Sequence, residues 1–148
     1  MTYDGSLRVA DARRRYYDAN GFAADGGDSE KWVKLKVAGF LPVWFPNSNA
    51  RRKAVRLHDL HHVATEYDTT WTGEAEIGAF EVGAGCGRYW VAWVLNLSAM
   101  GYGMFLAPRR VIAAFRRGRR SKSLYHIGWT DDLLTLSVAQ LRERLELE

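Results

Sequence analysis

The sequence predicts an all-α fold, a compact single-domain helical bundle over residues 1–148, and three observations carry that expectation. The chain is 47% hydrophobic and 13% aromatic with six tryptophans, enough for one buried core. Apolar residues recur at helical spacing in several long stretches, and only WVKLKV alternates as a strand would. Breaks rich in glycine, proline or small polar residues, such as NGFAADGGDSE, LPVWFPNSN and YDTTWTG, separate those stretches.

Taken in order, residues 6–19 suit a helix. A short strand is expected where Val33, Leu35 and Val37 alternate with Lys34 and Lys36. LPVWFPNSN reads as a turn, because Pro42 and Pro46 interrupt helix. A second helix should start near Asn49, with residues 51–67 as its body. Thr72 is the expected N-cap of a third, with Glu74 and Glu76 in a first turn that the helix dipole favours. That helix should run through Ile77, Phe80 and Ala84. Asp131 and Asp132 are expected to begin the last helix, where Val138, Leu141 and Leu145 recur at core spacing.

Residues 89–108, YWVAWVLNLSAMGYGMFLAP, carry no charged side chain and are long enough to cross a bilayer. Asn96, Ser98, Gly101 and Gly103 argue instead for a buried or interfacial helix. Arg109, Arg110, Arg116, Arg117, Arg119, Arg120 and Lys122 follow as a basic stripe. Such a stripe meets phosphates or stays solvated; beside twenty uncharged residues it fits an anionic lipid surface better than nucleic acid. Tyr89, Trp90, Trp93, Tyr102 and Phe105 could line a groove for an isoprenoid tail, or the same helix could form core or a homodimer surface. The one cysteine, Cys86, excludes an intramolecular disulfide and reads as a packed thiol. No apolar run follows Met1, so the expected location is cytoplasmic, peripheral on the inner face of the membrane.

Three of the four histidines lie in RLHDLHHVATEYDTTW. His58 and His62 are four apart and share a helix face, so their imidazoles can converge on one ion, with Asp59 adjacent. Glu74 could reach the same point if its helix folds back as a hairpin. Two imidazoles with one or two carboxylates suit Zn, Fe or Mn. The competing reading is a polar surface: Leu57, Leu60, Val63, Ala64 and Tyr67 make an apolar arc opposite the two histidines. Val55 on the histidine face, and the apolar helix downstream, point to burial on both sides. Glu66, Asp68 and Glu76 are candidate supporting carboxylates or alternative ligands, and His61 adds a third imidazole. GAGCGR lacks the order and preceding strand of a nucleotide loop, so Gly83 and Gly87 should serve close helix packing. His126 reads as a satisfied or exposed histidine.

Other histidine chemistries fit poorly. HDLHH matches one box of a di-iron desaturase, but those sites need several. A phosphohydrolase of the HD type needs a histidine upstream, and none precedes His58.

The pattern His58-Asp59-x-x-His62, eleven residues, then Glu74 resembles the signature of the coenzyme Q biosynthesis protein four family, the Coq-four family. GEAEIGAFE and the C-terminal AFRRGRRSKSLYHIGWTDDLLTLSVAQLRERLEL are similar to it too, so the resemblance covers residues 50–147. It implies a largely helical fold and a divalent metal, most often zinc, held by His58, Asp59, His62 and Glu74, with catalysis at those same residues. It further implies a role at ring carbon one of a polyprenyl hydroxybenzoate in ubiquinone biosynthesis, by decarboxylation or hydroxylation, in company with other quinone-biosynthesis proteins. The alternative is a non-catalytic scaffold that binds an isoprenoid intermediate.

Overall fold

The computed structural model describes residues 2–26, 32–37, 41–46 and 48–147, the two central stretches as backbone. Helix α1 (Val9–Asn20) leads to a ribbon of β1 (Trp32–Val37) and β2 (Leu41–Pro46), followed by α2 (Asn49–Thr65), α3 (Trp71–Ala84), α4 (Trp90–Leu106) and α5 (Pro108–Gly118). A short α6 (Leu124–Ile127), a 3-10 turn at Asp131–Leu134 and α7 (Val138–Arg144) close the chain. The helical expectation holds, with β2 as the one strand added to it.

That ribbon corrects the sequence reading of LPVWFPNSN. β1 is the anticipated strand, but its partner is the proline-bearing segment, antiparallel, with Lys36 opposite Pro42 and Trp32 opposite Pro46. A two-stranded ribbon leaves both outer edges open, and a proline loses nothing where its missing N–H would face outward. Pro42 and Pro46 are an even number of residues apart, so both can occupy that class of position.

α2 starts as expected, capped by Ser48, whose hydroxyl accepts from the Arg51 N–H. Its arc of Leu57, Leu60, Val63 and Ala64 is buried. α1, α4, α6 and α7 surround it. The chain's two ends meet there: the Val9 N–H donates to the Leu136 carbonyl and the Val138 N–H to that of Leu7, both at 2.8 Å.

The expected last helix is split. Asp131 and Asp132 open only the 3-10 turn, and Ser137 caps α7 in a reciprocal box, its hydroxyl accepting from the Gln140 N–H while Gln140 accepts from the Ser137 N–H. Val138, Leu141 and Leu145 are buried as the spacing requires. Ser137→Ala should cost about 1 kcal/mol, read as a urea midpoint lower by roughly 0.5 M.

α3 is the central helix, packed against both α4 and α5. Small residues allow this. A Cβ at Gly83 would overlap the Phe115 carbonyl, and one at Gly118 would overlap the Phe80 carbonyl and sit 3.0 Å from the Ala84 nitrogen. Gly83 thus serves packing as expected, whereas Gly87 has φ +51 and serves the turn before α4. Cys86 is buried there, and burial pushes its thiol up to about 12 against the opposing Asn96 hydrogen bond.

α4 is only partly covered. Ala92, Asn96 and Gly103 face inward, while Trp90, Val94, Leu97, Tyr102 and Phe105 are exposed, Phe105 to 89%. Among the described residues no helix is long and apolar enough to cross a membrane.

Candidate metal centre

The loop between α2 and α3 decides how the histidines are presented. Glu66 adopts the left-handed region (φ 66) as the α2 C-cap, held there by its carboxylate, which accepts from the Tyr3 N–H and from Arg142. This reversal turns the Tyr67 carbonyl back to His62, whose Nδ1–H donates to it at 2.9 Å. Asp68 accepts from the Thr70 N–H and hydroxyl, which fixes Thr70 in the extended conformation of an N-cap; its hydroxyl accepts from the Gly73 N–H. The cap is therefore Thr70 and not Thr72, and α3 begins one turn before Glu74.

α3 then runs back along α2. Glu74 reaches both His62 and His58, with Oε1 3.5 Å from His62 Nε2 and Oε2 3.6 Å from His58 Nε2. The two Nε2 atoms lie 3.1 Å apart. Ligand atoms of these three residues fall within 4.8 Å of one another, the one group among the described residues that could hold a metal ion. An ion about 2.0–2.1 Å from two imidazole nitrogens at a tetrahedral angle separates them by roughly 3.3–3.4 Å, close to the edges of this triangle.

Tautomers sharpen the fit. His62 Nδ1 faces a carbonyl, and His58 Nδ1 lies 3.0 Å from the Glu81 carboxylate. Neither acceptor carries a proton, so both Nδ1 atoms are protonated and both Nε2 atoms are turned toward each other. Two bare lone pairs at this distance would repel, so the space between them takes a proton, which the raised pKa of His58 supplies in the metal-free centre, or a metal ion in its place. Pinning Nδ1 to a carbonyl or carboxylate while Nε2 is left for metal is the usual arrangement of a ligating histidine. The open side lies toward Glu74, whose side chain is 38% exposed against 22% for His58 and 0% for His62. Three protein donors with an accessible side would leave room for a further ligand on a bound ion.

Charge follows the same geometry. Burial opposes the imidazolium of His58, but Glu81 and Glu74 outweigh it and hold the pKa well above the usual 6.5. Burial would raise Glu74 and Glu81, yet their histidine partners bring both below the ordinary carboxylate range.

Asp59 stands outside the triangle. Its Oδ2 accepts from the Tyr17 hydroxyl at 2.7 Å, and burial raises its pKa against the opposing influence of His58 and Tyr17. His61 is committed elsewhere: its Nε2 accepts from the Leu124 N–H and its Nδ1–H donates to Glu81, so neither nitrogen is left for an ion. Nor do the candidate supporting carboxylates serve. Glu66 and Asp68 hold the loop, and Glu76 accepts two bonds from Arg110, at 2.9 and 2.6 Å.

Sequence reasoning missed Glu81. It lies seven residues after Glu74, hence on the same face of α3, and interrupts an otherwise apolar run. It missed the wall behind His62 as well, where the Tyr16 ring stacks at 5.2 Å. Tyr3, Tyr16, Tyr67 and Asn20 line a cavity of about 160 Å³ beside it.

The five aromatic residues expected to line a groove divide into two groups. Trp90, Tyr102 and Phe105 are exposed. Tyr89 instead packs on Tyr125, and the Trp93 indole donates to the Gly87 carbonyl. In the basic stripe Arg110, Arg117 and Lys122 bind Glu76, the Thr65 carbonyl and Glu146, while Arg109, Arg116, Arg119 and Arg120 are exposed. His126 is exposed too. The chain matches no known family model, no curated protein and no solved structure.

Proposed function

We propose that this protein binds one divalent metal and acts in ubiquinone biosynthesis, at ring carbon one of a prenylated hydroxybenzoate, as its resemblance to the Coq-four family implies. The observation that carries the metal reading is the convergence of the two Nε2 atoms, 3.1 Å apart, with Glu74 completing the triangle. A bound zinc would act as a Lewis acid on the substrate's carboxylate or phenolate, and iron or manganese would add redox capacity. His62 and His58 hold fixed orientations, and Glu74 defines the accessible side. In decarboxylation the bond from ring carbon one to the carboxylate breaks, carbon dioxide leaves, and a proton takes its place. Hydroxylation at that carbon needs dioxygen and an electron source in addition. Asp59, the fourth residue of the family signature, stands outside the three-residue ligand set, with its Oδ2 on the Tyr17 hydroxyl.

A second reading, a non-catalytic scaffold presenting an isoprenoid intermediate to other biosynthetic proteins, draws on α4. Its exposed uncharged face lies beside the arginines of α5, and Trp71, three residues before Glu74, meets Tyr102 of α4 at 5.7 Å. This places an apolar surface next to the helix that carries Glu74. It suits an anionic membrane surface, a prenyl tail or a second copy of the chain.

Elemental analysis of untagged protein tests the proposal, alongside His58→Ala, His62→Ala and Glu74→Gln variants checked for folding by circular dichroism. About one equivalent of metal in the parent, lost in the folded variants, and metal-dependent carbon dioxide release from a prenylated hydroxybenzoate are expected. No metal after reconstitution with Zn, Fe and Mn would sink the metal reading. Stoichiometric metal and salt-sensitive binding to anionic liposomes without turnover would favour the scaffold.

A further inference from the structure

Glu81 lies behind the triangle. Its side chain is 0% exposed, and four donors converge on its two oxygens. Oε1 accepts from His61 Nδ1 at 2.7 Å and from His58 Nδ1 at 3.0 Å; Oε2 accepts from the Tyr125 hydroxyl at 2.9 Å and from Asn96. A structural need for these bonds is met without His58, since His61, Tyr125 and Asn96 already supply a donor to each oxygen. The dependence runs the other way. Glu81 is the one hydrogen-bond acceptor within reach of His58 Nδ1 among the described residues, and it fixes which nitrogen turns toward Glu74 and His62.

We propose that Glu81 is the positioning residue of the metal centre, holding His58 with Nε2 toward the ion and placing a second negative charge behind the ring. This rests on the metal reading given above. With Glu74 it balances the two positive charges of a divalent cation, and the charge is delivered through the His58 Nδ1–H···Oε1 bond, which makes Nε2 a stronger donor. The pin is rigid because its other end is anchored in the core: His61 ties Glu81 to the start of α6 through the Leu124 N–H at 3.0 Å. His58 therefore needs little reordering when metal enters.

The test compares Zn²⁺ affinity and the visible spectrum of the Co²⁺ complex in the parent, Glu81→Gln and Glu76→Gln. Glu81→Gln keeps size and an acceptor oxygen but removes the charge; a 10–100-fold loss of Zn²⁺ affinity and a shifted Co²⁺ spectrum are expected. Glu76→Gln disturbs another buried carboxylate of α3, bonded to Arg110 and outside the ligand group, and should leave both readouts at the parent's values. Equal losses in the two variants would reduce Glu81 to a structural role. Should Glu81→Gln not fold, nitrogen-15 spectra of the zinc-loaded parent decide: a protonated, hydrogen-bonded Nδ1 on metal-bound His58 is expected, and ligation through Nδ1 would overturn the proposal. A parent that takes up no metal would overturn this inference together with the metal reading, whereas a parent that binds metal no better than Glu81→Gln would overturn this inference alone.

Discussion

Gly118→Ala is expected to lower stability by about 3 kcal/mol, a fall in Tm of roughly 10 °C. The added methyl would overlap the Phe80 carbonyl oxygen and press on the backbone of Ala84, so α3 and α5 must move apart. Backbone cannot escape by changing rotamer. Separation would also disturb Phe80, one of the largest fully buried side chains. Set against a typical total of about 5–15 kcal/mol, such a loss is severe. Gly101→Ala supplies the contrast, since a Cβ there meets nothing within 4 Å and the residue lies inside α4. That change should stabilise by up to about 1 kcal/mol through helix propensity alone. Thermal melts of both variants check the argument, and similar behaviour of the two would refute the close-crossing explanation.

Metal affinity should fall about tenfold for each pH unit of acidification through neutrality. His58 has a raised pKa in the metal-free centre, so a proton occupies the position between the imidazoles that an ion must take. Binding releases it. Competition with a chromogenic chelator between about pH 6 and 8 should therefore span roughly a hundredfold in apparent Kd, and a flat profile would show that no proton is displaced. Stability of the metal-free protein has its own dependence. The raised pKa of His58 contributes stability that is complete below its unfolded value of 6.5 and is lost as pH rises through the folded value. Glu74 and Glu81, both lowered, contribute stability that is present above their unfolded value of 4.5 and is lost as pH falls. The metal-free protein should thus melt highest at mildly acidic pH, between the unfolded values of 4.5 and 6.5, and added metal should stabilise it most on the alkaline side, where the proton is gone.

The helical frame was legible because α2, α3 and α7 announce themselves by apolar spacing that the core then uses, as Leu57, Leu60, Leu141 and Leu145 show. His58, His62 and Glu74 were legible because four residues on a helix and a short loop constrain where side chains can go. Exact starts were harder. Thr70 and Thr72 are equivalent as sequence, and only Asp68, bonding back to Thr70, selects between them. Three acidic residues near the histidines, Glu66, Asp68 and Glu76, looked alike as candidate partners, and Glu81 was not among them, because a carboxylate's role depends on what faces it across the fold. Arg110 claims Glu76 from thirty-four positions away, Arg142 claims Glu66 from seventy-six, and two histidines claim Glu81 from twenty-three and twenty. Pairings at that separation leave no local pattern. The β2 segment escaped for the opposite reason: two prolines dominate its local signal, and they are compatible with a strand only because the ribbon has two open edges.

The stretch of chain before α2 also shapes the candidate centre. α1 lays Tyr16 flat against His62, sends the Tyr17 hydroxyl to Asp59, and is preceded by Tyr3, whose N–H reaches Glu66 in the loop that orients His62. A fragment cut at the start of α2, near residue 50, would keep every member of the proposed ligand set and still lack one wall of the site. Its imidazole would face water on the side now covered by a phenol ring, and the loop carbonyl that sets its tautomer would lose an anchor. Ligand residues and functional unit therefore have different boundaries in this protein, and grafts or minimal versions of the centre must carry the first twenty residues with them.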